Sequence, residues 1–153
     1  MKMKLKRIAL MLIGAVALLG SAAMTASCSD DDDKTIEVGQ LPNASKTFIQ
    51  TYFAGQTVSS VKQDKDNGKF EYKVYFENGA RAEFNELGEW TDVDMPFGQA
   101  VPDGFVPQPI VEYVQEWFPT LGINEIEVET YGYDVELTDG YELAFSPDGK
   151  FIR

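Results

Sequence analysis

The sequence predicts an α+β domain over residues 41–153, built from two tandem helix–antiparallel-sheet repeats whose helices pack on one face of the sheet. The two halves of this region are similar in sequence: residues 41–53 align with 106–118, and residues 70–90 align with 131–151, both without a gap. Each repeat begins with apolar residues at helical spacing and continues with strands in which apolar and polar residues alternate.

The first 27 residues have the pattern of a secretory signal peptide. Residues 1–7 hold four basic residues and no acid, and the thirteen residues of 8–20 are uncharged and mostly apolar. The apolar stretch is nearly long enough for a membrane-spanning helix. It ends in small residues, however, and no basic residue follows it directly. We therefore expect a cleaved signal over residues 1–27 rather than an uncleaved membrane anchor.

Cys28 is the only cysteine of the chain and follows Thr25-Ala26-Ser27. This segment resembles the lipobox of bacterial lipoproteins, although leucine is usual at its first position. The resemblance implies that Cys28 is lipidated and becomes the N-terminus of the mature protein. Because several acyl chains on one cysteine anchor a protein stably, we expect residues 28–40 to form an acidic tether anchored in the outer membrane.

Ser29 and four aspartates, Asp30, Asp31, Asp32 and Asp33, follow the cysteine directly. This order resembles the surface-export signal of lipoproteins of the Bacteroides lineage, and the resemblance implies a protein that faces the cell exterior. One alternative is a protease tag, which is disfavoured because the aspartates adjoin a natural lipobox. The other is a self-repelling, solvated tether that faces the periplasm.

The composition argues against several functional classes. Without residues 1–27 the chain has 13 − 4 = 9 basic and 25 acidic residues, a net charge of −16, which phosphate backbones repel. It has no histidine, the commonest general acid–base group and metal ligand, and no nucleophile–base spacing stands out. We therefore expect no enzyme activity, no cofactor, no metal and no nucleic-acid partner. Nineteen aromatic residues indicate a folded core, and we expect a monomer.

A helix begins each repeat. Apolar side chains recur at helical spacing in both, at Ala44, Phe48, Ile49, Tyr52 and Phe53 in the first and at Ile110, Val114, Trp117 and Phe118 in the second. Each helix starts near a proline, which the first turn tolerates because its missing N–H would be unpaired there.

Strands and tight turns follow each helix. Phe70, Tyr72, Val74 and Phe76 alternate with polar or charged neighbours, which predicts an antiparallel sheet with one packed and one exposed face. Asn78-Gly79 and Asp139-Gly140 are favoured pairs for two-residue hairpin turns. We place repeat 1 at about 41–90, a connector at 91–105 that starts with a short edge strand, and repeat 2 at 106–153.

These residues resemble a known family. The LP-x5-F-I-x2-Y-F opening, the NG and DG hairpins, the connector VPDGFVP and the closing PDGKF are similar to the PepSY-like, β-lactamase-inhibitor-like domains of Bacteroidota lipoproteins. The resemblance covers residues 41–153 and rests mostly on turn and core positions. It implies an α+β fold of tandem repeats and a role in binding or inhibiting proteins, with no catalytic residue to transfer.

The exposed face of the second repeat is predicted to be entirely acidic. The sequence pattern places six acids and no base on this face. With Tyr75 of the first repeat they form our candidate partner-binding face: Glu125, Glu127, Glu129, Asp134, Glu136 and Glu142. Like charges on one sheet face cost stability. The face serves either to keep molecules apart in solution or to dock a basic patch of another protein.

Asp64-Lys65-Asp66-Asn67-Gly68 has the alternating acids and the glycine of a calcium loop. An EF-hand needs Gly at its sixth position and Glu at its twelfth, whereas here Gly is fifth and Tyr75 is twelfth. A turn between strands accounts for the segment better.

Three functions fit these observations. The first is a non-catalytic surface lipoprotein that binds, and by analogy inhibits, a protein partner. The second is glycan or peptide capture for a nutrient-uptake system, which would use outward aromatic rings such as Tyr75, Tyr141 and Trp90. The third is a structural surface protein without a specific ligand.

The export signal can be tested separately from lipidation. Changing Asp30, Asp31, Asp32 and Asp33 together to Ala should leave lipidation intact, because Cys28 and the small residues before it are unchanged. The protein should move from the cell surface to the inside of the outer membrane. Surface proteolysis of whole cells, with lysed cells as the control, measures this. An alanine variant as accessible as the parent would show that the aspartates are only a solvated spacer.

Overall fold

The computed structural model describes residues 34–66 and 68–153, which form one eight-stranded antiparallel sheet and two α-helices. Cys28, Ser29 and the four aspartates lie outside the described residues, so the predictions made for them stay predictions. In chain order the elements are β1 (Lys34–Ile36), a 3-10 helix (Val38–Gln40), α1 (Asn43–Tyr52), β2 (Val58–Asp66), β3 (Lys69–Phe76), β4 (Arg81–Phe84), β5 (Trp90–Asp94), α2 (Gln108–Trp117), β6 (Ile123–Glu129), β7 (Gly132–Leu137) and β8 (Glu142–Phe145). Among the described residues, neither helix is long and apolar enough to cross a membrane.

The order of strands in the sheet is their order in the chain, and every neighbouring pair is antiparallel. Tight turns lie where they were predicted, with positive φ at Gly79 and Gly140. Each is longer than the expected two residues, because the amide of Gly79 donates to the carbonyl of Phe76 and the amide of Gly140 to that of Leu137. The pairings of β1 with β2 and of β5 with β6 differ, because α1 and α2, respectively, lie between the paired strands in sequence. The pairing of β5 with β6 joins the strands before and after α2 into one continuous sheet.

The two helices pack on the same face of the sheet through aromatic side chains. Phe48 of α1 contacts Phe84 with ring centroids 5.5 Å apart and an interplanar angle of 79°. Tyr113 of α2 contacts Phe145 at 5.4 Å and 81°. Both sheet residues are fully buried. Large aromatic side chains dominate core energetics, so these edge-to-face contacts fix each helix over its strands.

The α+β class and the packing of helices on one face are confirmed, whereas the position of one strand differs from our expectation. We expected the start of the connector 91–105 to be an edge strand. Residues 91–94 instead belong to β5, which lies between β4 and β6 in the interior of the sheet. A shift of register between Glu83 and Phe84 pairs Phe84 with Trp90 and Glu83 with Asp92. This bulge interrupts the alternation from which the strand could have been predicted.

The turn between β4 and β5 supports the first turn of α1. Gly88 has φ +83°, a conformation that L side chains rarely adopt, and a Cβ placed on it would lie 2.7 Å from Pro42 Cβ and 2.8 Å from Ser45 Oγ. Ser45 is fully buried and its hydroxyl donates a hydrogen bond to the carbonyl of Gly88 at 3.4 Å. The helical spacing of apolar residues included Ala44, but Ala44 is exposed and its neighbour Ser45 is buried instead.

Replacing Gly88 should therefore destabilise the fold. Gly88→Ala adds left-handed strain and a clash with α1, and we expect a loss of about 2 kcal/mol in the free energy of unfolding. Gly39→Ala is the matched control, because a Cβ there meets nothing within 4 Å and the backbone has no positive φ. Urea unfolding followed by tryptophan fluorescence measures both. Equal stabilities of the two variants would contradict the close approach of turn and helix.

Candidate functional site

The face of the sheet away from the helices carries carboxylates on five consecutive strands. We call this set the acidic face: Glu83, Asp92, Asp94, Glu125, Glu127, Glu129, Asp134, Glu136 and Glu142. Alternation puts them there, because their strand neighbours such as Val93, Ile126 and Val135 are buried on the helix side.

Strand register arranges most of the acidic face in two rows that run across the sheet. In the first row, Arg81 pairs with Asp94, Asp94 with Glu125, Glu125 with Glu136, and Glu136 with Glu142. Side chains directly opposite on neighbouring strands lie about 5 Å apart. The first row is therefore one cation followed by four adjacent carboxylates, and Tyr75 extends it on the other side of Arg81.

The second row is parallel to the first. Glu83 pairs with Asp92, Asp92 with Glu127, and Glu127 with Asp134. Lys73 lies opposite Glu83 and Lys62 lies opposite Lys73. The exposed side of the sheet thus carries both signs of charge on β2 and β3, where Asp64 also lies opposite Glu71, and is mostly acidic from β4 onward.

Arg81 is the cation at the centre of the acidic face. Its Nη2 donates to Asp92 Oδ2 at 2.6 Å and lies 3.7 Å from Asp94 Oδ2 and 3.7 Å from Glu125 Oε1. Its Nε lies 3.3 Å from Glu83 Oε1. Burial lowers the pKa of Arg81, but the four carboxylates outweigh it and the pKa is raised. One guanidinium therefore links three strands, β4, β5 and β6.

Asp92 is the most buried carboxylate of the acidic face, with 8% of its surface exposed. No described residue forms a hydrogen bond with its Oδ1. Burial raises the pKa of Asp92 from 3.8 to about 7; Arg81 opposes this shift, while Glu125, Glu83 and Glu127 add to it. Burial and the surrounding negative charge thus outweigh a close ion pair, so the acidic face takes up a proton near neutral pH.

The structure brings together the residues of the candidate face and adds four that sequence reasoning did not assign to it. Glu125, Glu136, Glu142 and Tyr75 share the first row, Glu127 and Asp134 share the second, and Glu129 ends β6 opposite Gly132. Asp92 and Asp94 were placed in the connector, and Arg81 and Glu83 in the first repeat. The alternation in Trp90–Asp94, once its bulge is allowed for, is the signal that could have found the two aspartates.

The aromatic residues considered for glycan stacking take different positions. Trp90 packs on the helix side, with its ring 5.3 Å from that of Phe105 and 6.3 Å from that of Tyr133, so the expectation that it faces outward is wrong. Tyr141 is 56% exposed, but it lies in the β7–β8 turn beside Phe118 and not on the acidic face. Tyr75 is half-buried in the first row.

Two groups of carboxylates bear on metal binding, the 64–68 segment considered from the sequence and a cluster seen in the structure. Asp66 pairs with Lys69, so the segment that resembled a calcium loop connects β2 and β3 as a hairpin; Asn67 within it lies outside the described residues. Glu127, Glu129 and Asp134 each place one carboxylate oxygen within 4.8 Å of the others. The hydroxyl of Tyr131 donates to Asp134 Oδ1. Carboxylate oxygens are the ligands that Ca²⁺ prefers.

The chain is similar to a described protein family and to solved structures. A family model described as "Putative beta-lactamase-inhibitor-like, PepSY-like" matches residues 69–153. No curated protein matches the chain.

Three solved structures from Bacteroides are similar over most of the chain. The first, from Bacteroides vulgatus ATCC 8482 and described as "a putative periplasmic protein from DUF2874 family", is 37% identical with a TM-score of 0.77 and covers 81% of this chain and 97% of its own. The second, "a putative calcium-regulated periplasmic protein" from Bacteroides thetaiotaomicron, is 33% identical with a TM-score of 0.75 and covers 80% and 95%. The third, from Bacteroides vulgatus ATCC 8482 and of unknown function, is 31% identical with a TM-score of 0.74 and covers 79% and 97%.

The raised pKa of Asp92 predicts how stability depends on pH. Because the folded pKa exceeds 3.8, folding favours the protonated carboxyl. The stability that this contributes is complete below pH 3.8 and is lost as the pH rises through about 7. The free energy of unfolding should therefore fall between pH 5 and pH 8. In Asp92→Asn this fall should be smaller by roughly 2 kcal/mol.

Urea unfolding across this pH range measures the difference. Glu86→Gln, which neutralises an exposed carboxylate in the β4–β5 turn, is the control and should keep the slope of the parent protein. A slope in Asp92→Asn equal to that of the parent would contradict protonation of Asp92 near neutral pH.

Proposed function

Because the chain belongs to the PepSY-like, beta-lactamase-inhibitor-like family, we propose that it is a non-catalytic envelope protein that binds a protein partner through its acidic face. The observation that carries this proposal is the arrangement of carboxylates from five strands in two rows. Because the family is described as beta-lactamase-inhibitor-like, we also propose that binding inhibits the partner. The solved relatives are described as periplasmic, which indicates a location in the cell envelope.

The energetic cost of the acidic face supports a role beyond solubility. Directly opposed like charges destabilise a sheet, and Glu125–Glu136 and Glu136–Glu142 are such pairs. A protein with a net charge of −16 could carry its acids on helices and turns, where they lie farther apart. Concentrating them on one flat surface creates a field that steers a basic partner. Solubility alone requires charge but no such concentration.

The proposal of a non-catalytic role rests on the composition. The chain has no histidine and a single cysteine at position 28. Most of the carboxylates gathered on the acidic face lie on an open surface, whereas catalytic carboxylates act in a concave site that excludes water. A glycan-binding role finds less support, because Trp90 packs under the helices.

We also propose that the protein is held at the outer membrane by lipid on Cys28 and faces the cell exterior, because the cysteine is followed by a serine and four aspartates. The structure describes the chain from Lys34 onward, where β1 begins.

We further propose that the two halves of the domain are tandem repeats. The alignment of residues 41–53 with 106–118 and of 70–90 with 131–151 makes Phe48 equivalent to Tyr113 and Phe84 to Phe145. These pairs have nearly the same ring geometry. Gly149, equivalent to Gly88, has φ +76°, and a Cβ on it would lie 2.8 Å from Pro109 Cβ at the start of α2.

Neutralising the acidic face should slow association with the partner. Glu127→Gln combined with Glu136→Gln removes one charge from each row, and we expect the association rate constant at low salt to fall about tenfold. The difference should shrink as salt screens the field. Stopped-flow or surface-binding kinetics with the partner measures both effects.

A double variant with the same net charge is the matched control. Glu86→Gln with Glu116→Gln neutralises two exposed carboxylates, one in the β4–β5 turn and one on α2. It should leave the association rate nearly unchanged. If the association rate constant is unchanged by salt and by both double variants, the acidic face does not bind the partner.

A second candidate function is calcium binding at Glu127, Glu129 and Asp134. It is favoured by the description of a relative that is 33% identical as "calcium-regulated" and by the proximity of the three carboxylates. Ca²⁺ at this position would neutralise part of the second row, so calcium would weaken the attraction of a basic partner.

Calorimetric titration of the full-length protein with CaCl₂ tests the calcium site. We expect heat that saturates at one ion per chain and that is lost in Glu127→Gln with Glu129→Gln. The control variant is Glu86→Gln with Glu116→Gln, which should bind like the parent. Absence of saturable heat at millimolar Ca²⁺ would exclude the site.

A further inference from the structure

One end of the sheet brings together three connections that are distant in sequence. We call it the loop end; it consists of the β3–β4 turn at 77–80, the loop at 95–100 after β5, and the β7–β8 turn at 138–141. A Cβ placed on Gly79 would lie 3.4 Å from Pro96 Cγ, and one on Gly140 would lie 3.8 Å from Phe97 Cε2. The 95–100 loop therefore lies against both neighbouring turns.

The side chain of Asn124, which is 3% exposed, holds the loop at 95–100 in place. Asn124 Nδ2 lies within hydrogen-bonding distance of three backbone carbonyls, at 3.0 Å from Met95, 3.0 Å from Pro96 and 2.7 Å from Gln99. The amide of Met95 donates to the carbonyl of Asn124 at 3.0 Å, and the amide of Gln99 to that of Pro96 at 2.9 Å. This loop is therefore ordered before any partner arrives.

Phe97 lies at the tip of the ordered loop and is 77% exposed. Tyr141, 56% exposed, lies in the adjoining β7–β8 turn. A large apolar side chain in water loses the free energy that its burial would provide, about 25 cal/mol per Å² of apolar surface. Aromatic side chains held in a fixed conformation are the usual anchors of protein interfaces, because little entropy is lost when they bind.

The loop end borders the first row of the acidic face. Asp94 directly precedes the loop and Glu142 directly follows Tyr141. Glu125 and Glu136 lie between them in the same row. The loop end that carries Phe97 thus adjoins the four carboxylates of the first row. A lipid surface with anionic headgroups would be repelled by this row, whereas an apolar pocket with basic groups at its rim would match both parts.

We propose that Phe97 is the apolar anchor of the binding surface and enters an apolar pocket of the partner protein, with Lys or Arg side chains at the rim facing Asp94, Glu136 and Glu142. This inference rests on the proposed binding function of the acidic face and adds the anchor and the shape of the partner's site. Loop 95–100 fixes the position of the Phe97 backbone, and the carboxylates of the first row favour a partner site with basic groups around its pocket.

Site-specific photo-crosslinking tests the anchor in the full-length protein in the cells that make it. A benzophenone amino acid is placed at position 97, at position 127 on the acidic face, or at position 87. Leu87 is the matched control, because it is 68% exposed in the turn at the opposite end of the sheet. We expect positions 97 and 127 to crosslink to the same protein and position 87 to give no such product.

Mass spectrometry of the product at position 97 should identify a peptide with apolar residues next to Lys or Arg. With that purified partner, Phe97→Ala should weaken binding at least tenfold and Leu87→Ala less than twofold. Phe97 is mostly exposed, so its replacement should leave the free energy of unfolding unchanged.

The other outcomes overturn the inference in distinguishable ways. A crosslink at position 127 without one at 97 excludes the anchor and leaves the proposed function standing. Crosslinks at neither position contradict both. A lipid product at position 97 assigns Phe97 to the membrane surface instead, and equal effects of Phe97→Ala and Leu87→Ala exclude a specific anchor.

Discussion

The exposed face of this sheet depends on one guanidinium. Arg81 lies within ion-pairing distance of carboxylates from β4, β5 and β6, and the closest of them belongs to Asp92, which is almost completely buried. Several carboxylates at cross-strand distance repel one another. Arg81 offsets this repulsion at the β5–β6 pairing, where the first five strands of the sheet meet the three that follow α2. The continuity of the acidic surface therefore depends on Arg81.

One cation does not neutralise all of its neighbours, and the surplus of negative charge accounts for the properties of the surface. Burial and this surplus charge together raise the pKa of Asp92 to about 7. The surplus charge also produces an electrostatic field over β5 to β8. A field of this kind increases the rate at which a basic partner arrives but gives little shape specificity. The ordered loop that presents Phe97 provides shape beside the charge. Charge and shape thus come from neighbouring parts of one surface.

Much of the architecture could be predicted from local patterns. Alternation along β3, β6 and β7 assigned side chains to the correct faces, and Asn78-Gly79 and Asp139-Gly140 marked turns that the structure contains. The role of Arg81 could not be predicted in this way, because its distance from Glu125 depends on a strand pairing across α2. The bulge at Trp90 also moved Asp92 and Asp94 out of the expected pattern. The support of the Phe97 loop by Asn124 joins residues more than twenty positions apart, which no local pattern reports.

Replacement of Arg81 tests the central role of this residue most directly. The free energy of unfolding of Arg81→Met should be measured in urea at pH 5 and at pH 8, beside that of the parent. We predict a loss of about 2 kcal/mol at pH 8, where Asp92 is ionised and loses its closest cation. We predict a much smaller loss at pH 5, where Asp92 is protonated. A loss of the same size at both pH values, or no loss at pH 8, would contradict the account.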